Sequence, residues 1–377
     1  MKPKYGSPFT NPSQELLIKA CFAESPDFEA IYSKWKGQTD FEEDIEYGSF
    51  RLLPLLYKKL RDLKIEDELT PRLKGIYRKS WSQNHFLFRE TGKVLNFLHQ
   101  NNIETILIKG IPLSILSYRN YAVRPMADMD VMVHPEDAVK TFQLLLDKGW
   151  KSVDEVHDHY NLNHQKSITV IDEKKTELDL HWYPFDECYG LTVNTDFWDR
   201  AEEVVVSGAK TLAMCTADEL LLSIVHGLMP NPVPPIRWIA DAMTLISDKN
   251  RPVIWDRVID YAGKFSVQVQ LKTATKYLKE TFGAPIPEDV YSRISNIKPT
   301  LADKLVYKRK GVFVYHPSLK KLFVAYISFL KNPAHKSLVA KNIAFFRYLR
   351  ERSKGKPVFK ILIYYVSVIL KRRKSNR

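Results

Sequence analysis

Residues 103–133 read IETILIKGIPLSILSYRNYAVRPMADMDVMV, and the rest of the chain is organised around them. Ile103 to Ile108 is a short β-branched run that suits a strand. Lys109-Gly110 suits a turn, and Pro112 to Tyr118 suits a helix with proline near its start. Met129, Val131 and Val133 then alternate with Asp128, Asp130 and Met132, which predicts a second strand with both carboxylates on one face. Two carboxylates side by side repel each other, and a divalent cation relieves that cost. Hard oxygen ligands suit Mg²⁺. TELDLHW (176–182) offers a third acid from a later strand: Asp179 lies between Leu178 and Leu180, with Glu177 as the substitute on the same face. His181 alternates with Asp179 and reads equally as a partner of the carboxylates or as an edge histidine.

Working outward, the flanking segments are helical in pattern. Gln14 to Phe22, Glu42 to Leu63 and Leu73 to Asn101 have apolar residues at helical spacing. In the longest, Tyr77, Trp81, Phe86, Phe88, Val94, Phe97 and Leu98 read as a core stripe rather than a stacking platform. Pro135 opens a helix that Gly149 ends. Trp150 to Val156 and Ser167 to Ile171 are strand candidates, with a turn at Lys174-Lys175 before the Asp179 strand. His157, His159 and His164 match no metal-binding spacing and read as loop residues. Thr216 with Glu219 reads as a capping box opening a helix through His226. A second helix runs from Ile236 to about Ile246. On it Arg237, Asp241 and Thr244 share a stripe, so Arg237 either pairs with Asp241 or lines a cleft. Trp255 to Lys279 and Asp289 to Ile297 continue the helical pattern.

The formal net charge of +13 is unevenly spread. Residues 299–377 carry 20 Lys and Arg against two acids, Asp303 and Glu351, which leaves the rest of the chain mildly acidic. Such a block suits nucleic acid, an anionic membrane surface or an acidic partner, or else a solvated helical face. Its apolar run 361–370 lies between Lys360 and the cluster Lys371 to Lys374, and ten residues are too few to span a bilayer. Cys21, Cys188 and Cys215 form no CxxC pair and suggest neither a disulfide framework nor a zinc site. The polar first residues lack the apolar core of a signal peptide, so a cytoplasmic protein, peripheral at a membrane if the tail anchors it, is expected.

LIKG (107–110), RPMADMDVMV (124–133), LDLHW (178–182) and RWIADAMTLI (237–246) form an ordered set of blocks. The set resembles nucleotidyltransferases of the DNA polymerase β type. More closely, over about residues 85–290, it resembles the uncharacterised nucleotidyltransferase family found in bacteria. The usual Gly-Ser turn of the superfamily is Lys109-Gly110-Ile111 here. The resemblance implies an α+β fold: a small mixed palm-like sheet with flanking helices, plus N-terminal and C-terminal helical regions. The expected division is a helical region to 100, a palm over 101–205, a helical nucleotide-cleft domain over 206–298 and a basic helical region over 299–377.

The implied activity is transfer of a nucleoside monophosphate, most often AMP, from an NTP such as ATP to an acceptor that the sequence does not identify. Asp128, Asp130 and Asp179 would be the catalytic and metal-binding residues, with two Mg²⁺ ions. Lys109, Gly110, Arg124 and Arg237 would bind the nucleotide. RNA or an anionic membrane surface are the partners suggested for the basic tail. The alternative reading is a non-catalytic nucleotide- or nucleic-acid-binding protein that retains the fold.

Overall fold

The computed structural model describes residues 6–40, 45–153, 166–185, 194–229, 231, 233–310, 322–323, 326–327, 329–330 and 337–352. His157, His159, His164, Cys188, part of the Trp150 to Val156 strand candidate and the 361–370 run lie outside them.

The core of the fold is a mixed seven-stranded sheet in the order β3-β4-β5-β2-β1-β7-β6. Its strands are β1 (Ile106–Leu107), β2 (Asp128–Met132), β3 (Lys151–Ser152), β4 (Ser167–Ile171), β5 (Glu177–His181), β6 (Glu202–Val206) and β7 (Ala209–Ala213). Strand β2 runs parallel to β5 and antiparallel to β1, and β1 runs parallel to β7. The sheet therefore extends to Ala213, past the expected palm boundary at 205. The β-branched run from Ile103 yields only a two-residue strand, but that strand is central and buried on both faces.

Period-two alternation sorts the sheet's side chains into two cores. Leu107, Met129, Val131, Leu178 and Leu180 pack against the C-terminal half of α5 (Thr70–Gln100) and α7 (Ala138–Asp147). Ile106, Ile108 and Met132 point the other way, into a larger core. That core joins α1 (Pro12–Phe22), α2 (Ser25–Gly37) and α4 (Leu53–Leu63) to α9 (Thr216–Gly227), α10 (Arg237–Ser247), α11 (Trp255–Lys264), α12 (Gln268–Phe282) and α13 (Glu288–Ser295). The sheet is thus the middle layer of three, and the acid-bearing face looks into the helical layer that spans both ends of the chain. Short α3 (Tyr47–Phe50), α6 (Gly110–Pro112) and α8 (Asn194–Trp198) complete this part. Beyond it lie α14 (Leu301–Lys310) and α15 (Leu338–Arg352), the latter packing Phe345 and Leu349 into a small separate cluster.

Local chemistry accounts for several boundaries. Asn11 and Gln14 cap α1 reciprocally. Gly149, at φ +93°, ends the segment after α7, and Gly283, at φ +65°, ends α12. Several expected elements differ. The described residues of the expected Glu42 to Leu63 helix, from 45 on, form two helices, and Trp255 to Lys279 is broken between α11 and α12 by Ser266 at positive φ. The helix after Gly110 passes at once into a π turn, Leu113–Ser117. The capping box at Thr216 and Glu219 does not form: Cys215 is the N-cap, and the Glu219 carboxylate turns to a different partner. The expected stripe on α5 is also corrected. Trp81 and Phe86 are exposed, and the buried stripe instead includes Leu73, Ser80, Asn84, Leu87, Thr91 and Leu95.

Candidate active site

The strand directions bring four chain segments to one edge of the sheet. These are the end of β1, the starts of the parallel pair β2 and β5, and the turn from β7 into α9. In the β2–β5 register Asp128 lies beside Glu177, Asp130 beside Asp179 and Met132 beside His181. Alternation puts all six on the face turned to the helical layer.

Among the described residues, Asp130, Asp179 and His181 form a group able to hold a metal ion: one ligand atom from each lies within 4.8 Å of the others. Asp128 stands on the same face just outside this group, and Glu177 is exposed beside it. Asp179 accepts a 2.5 Å hydrogen bond from Thr169 Oγ1 on β4. Burial and the Asp130 charge push its carboxyl up to about 6. The same two causes raise Asp128. Burial also opposes ionisation of Asp130, but Lys109 and His181 outweigh it and hold that carboxylate well below its ordinary range. Two carboxyls that ionise reluctantly beside a third that is fully charged, with an imidazole nitrogen between, suit a divalent cation.

Lys109 is the counter-charge that the sequence pattern did not place. Its Nζ lies 2.5 Å from Asp130 Oδ1 and 3.4 Å from His181 Nε2. His181 Nε2 also lies 3.1 Å from Asp130 Oδ1. Burial and the Lys109 charge lower the imidazole to about 4, so it is neutral at physiological pH. The Lys109 backbone sits at φ +60°, ψ −114°, a conformation costly for any residue with a Cβ. Its N–H donates to Glu219 Oε1 at 3.1 Å, which holds the turn in place. Glu219 is buried, its Oε2 has no hydrogen-bond partner among the described residues, and burial pushes its carboxyl up to about 8.

Gly110 is a glycine for a packing reason. A Cβ there would lie 2.7 Å from Met126 Sδ and 2.8 Å from Arg124 Nη1. Arg124 is itself buried, and its Nε and Nη2 grip both oxygens of Asp241 on α10 at 2.9 and 3.0 Å. Tyr118 donates to the same Asp241 at 2.9 Å. Thus Asp241 pairs with Arg124 from the loop, not with Arg237 one helical turn away. Arg237 instead donates to the Pro125 carbonyl at 2.5 Å, and Thr244 bonds within its own helix.

Arg51, at the end of α3, is a site residue that sequence reading missed. Burial, then the nearby Arg124 charge, lowers its pKa, while Asp241 and Asp128 oppose that. Arg237 is lowered in the same way, by burial and by Arg124 and Arg51. The Arg124 charge thus disfavours those of Arg51 and Arg237, while Arg124 itself, though burial opposes its charge, is held above its ordinary range by Asp241. Among the described residues, neither Arg51 nor Arg237 has a carboxylate within ion-pair distance. No local pattern marks Arg51; only the packing of the N-terminal helices against α10 brings it here.

The loop 118–127 that feeds β2 is tied down from two sides. Asn84 of α5 donates to the carbonyls of Tyr121 and Arg124 at 2.6 and 3.0 Å and accepts from the Met126 N–H at 3.2 Å. Ser80 donates to the Ala122 carbonyl at 2.6 Å, and Arg119 donates to both oxygens of Asp248 at 2.9 Å.

Residues 49–283 match the profile of a family described as uncharacterised nucleotidyltransferase. A solved structure, an antigenic nucleotidyltransferase-like protein from Paracoccidioides brasiliensis, is similar at 15% identity with a TM-score of 0.36, over 55% of this chain and 96% of its own. No curated protein matches the chain. The profile spans α3 to the end of α12 and so takes in Arg51, the Lys109 turn, the acidic strands and Asp241: the chain belongs to the uncharacterised nucleotidyltransferase family.

Proposed function

We propose that the protein transfers a nucleoside monophosphate, with AMP the first to test, from an NTP to an acceptor hydroxyl or phosphate. The observation that supports this most is the β2–β5 register. It sets Asp130 against Asp179, with Asp128 and His181 on the same face and three arginines alongside. Asp128, Asp130 and Asp179 would hold two divalent cations, Mg²⁺ by the hardness of the oxygen donors, with His181 completing the group around Asp130. When bound, the cations supply charge neutralisation for the triphosphate and the leaving pyrophosphate, and acidify the acceptor hydroxyl.

The chain's own groups do the rest. Arg51 and Arg237 present cations to the triphosphate, and Arg124, fixed by Asp241, forms the wall behind Gly110. Lys109 keeps Asp130 ionised. Asp179, on the same face beside Asp130, would serve as cation ligand or as base for the acceptor's proton.

The test is incubation with radiolabelled NTPs, Mg²⁺ and cell extract, followed by identification of the labelled species. Label transfer is expected from the wild type, and Asp179→Ala should lower the rate at least about a hundredfold, roughly 2.7 kcal/mol of transition-state stabilisation. Absence of divalent-dependent labelling, or an unchanged rate in Asp179→Ala, contradicts the proposal. A second reading, nucleotide binding without transfer, draws on the Lys109–Asp130 ion pair, which already neutralises the site's most acidic group. NTP binding that is indifferent to Mg²⁺ would favour it.

A further inference from the structure

We propose that the outer face of α5 is a stacking surface for single-stranded nucleic acid that leads to the loop before β2. This deepens the transfer reading by giving the acceptor its chemical class, and depends on that reading only for the chemistry that follows binding.

The first observation is charge. Helix α5 carries six Lys and Arg and one acid, Glu90. Glu90 is buried and held by Lys93 at 2.7 Å, so it does not offset the face. Among the described residues, Lys74, Arg78 and Lys79 have no carboxylate within ion-pair distance, and all three are exposed. The face is a strip of free cations in the part of the chain that is otherwise mildly acidic.

The second observation is aromatic. Trp81 is 50% exposed, Phe86 42% and Tyr121 41%. At helical spacing Trp81 and His85 flank one side of Arg78 and Arg89, and Phe86 flanks the other. The rings already make ring contacts with their neighbours. Trp81 lies 4.0 Å from His85 between centroids, and His85 and Phe88 meet Tyr121 edge-on at 5.3 and 5.1 Å. The Arg89 guanidinium lies 5.4 Å over Phe86. Flat rings set among exposed cations, of which Lys74, Arg78 and Lys79 have no carboxylate partner among the described residues, suit bases and phosphates in turn.

The composition separates this from a lipid anchor. An interfacial helix needs a continuous aliphatic face. The aliphatic residues of α5 are already spent on the two protein cores, and the large apolar groups it exposes are aromatic. The position also suits an acceptor. Tyr121 belongs to the loop that carries Arg124 to Asp128, and Asn84, on the inner side of the same helix, is bonded to both Tyr121 and Arg124.

The test measures fluorescence anisotropy of a labelled single-stranded RNA of about 16 nucleotides with the full chain, at low and high salt. The partners for comparison are Trp81→Ala with Phe86→Ala, and Arg78→Glu. All three positions are exposed, and melting curves check that the fold is retained. The double variant is expected to weaken binding at least about tenfold, and Arg78→Glu to flatten the salt dependence. Three results overturn the proposal. One is no RNA binding by the wild type. Another is unchanged affinity in the double variant, which would assign RNA binding to the basic C-terminal region. The third is loss of binding to phosphatidylserine vesicles with RNA affinity unchanged, which would make the face a membrane contact. Cation and NTP binding titrated on the same preparation test the transfer reading separately, so either can fail while the other stands.

Discussion

At the scale of single residues, the acidic pair does not behave as one unit. Alternation alone predicts that removing either carboxylate relieves repulsion and leaves the fold intact. Asp128 fits that expectation, since burial and Asp130 raise its pKa. Asp128→Asn should therefore abolish transfer while the melting temperature, without metal, holds or rises. Asp130 is the opposite case, because its carboxylate neutralises the largely buried Lys109. Asp130→Asn should abolish transfer and also cost about 3 kcal/mol of stability. Equal melting temperatures for the two variants would contradict the assigned pairing. Glu219 gives a pH signature. Its folded-state carboxyl, raised from an ordinary 4.5 to about 8, binds a proton that the unfolded chain releases. Stability should fall as pH rises across that window, with a limiting slope of about 1.4 kcal/mol per pH unit. Gln keeps the acceptor for the Lys109 N–H and cannot ionise, so Glu219→Gln should flatten the fall and melt above wild type at pH 8. A steeper fall in the variant would contradict this. That Asp128, Asp130 and Asp179 share one face of the paired strands was legible because strand alternation is a local property. Arg51, Glu219 and the Arg124–Asp241 pair were not, because each depends on segments far apart in sequence meeting in space.

At the scale of elements, the local patterns located most helices and strands, and failed where tertiary packing competes with propensity. Ser167–Ile171 is a strand as expected, and Glu177–His181 carries Asp179 as the alternation requires. Helix α5 was legible as a long helix, but its orientation was not. The apolar stripe read from the sequence put Trp81 and Phe86 in the core, whereas polar Ser80 and Asn84 are buried because the loop 118–127 supplies backbone partners for them. That loop sets the next prediction. Asn84 touches none of the acidic residues yet makes three hydrogen bonds to the loop. Asn84→Ala should cost about 1–3 kcal/mol of stability and raise KM for NTP at least about tenfold by releasing Arg124, with a smaller effect on kcat. A variant that melts lower but keeps the wild-type KM would make Asn84 a purely structural residue. At Gly110, a Cβ would meet Arg124 and Met126, so Gly110→Ala should impair nucleotide binding through the displaced loop. A normal KM in Gly110→Ala would count against the loop's role.

At the scale of the whole molecule, the mixed topology makes the site. Antiparallel pairing of β1 with β2, and parallel pairing of β2 with β5 and of β1 with β7, gather Lys109, the acids, His181 and Glu219 at one edge. The helical layer then closes over them with Arg51 from the N-terminal side and Arg237 and Asp241 from α10. The class of fold was legible from the alternation of patterns and from the resemblance; the strand order was not, because pairing partners are separated by long helical stretches. No helix among the described residues is long and apolar enough to cross a membrane. The central claim is that the edge of β2 and β5 takes a divalent cation with an NTP. The most direct measurement is Mn²⁺ binding, read by loss of the free-ion electron paramagnetic resonance signal, with a non-hydrolysable NTP present. Wild type is predicted to take up Mn²⁺, and Asp130→Asn to bind it at least about a hundredfold more weakly, roughly 2.7 kcal/mol. Equal Mn²⁺ affinity in the two proteins, or none in either, would contradict the account.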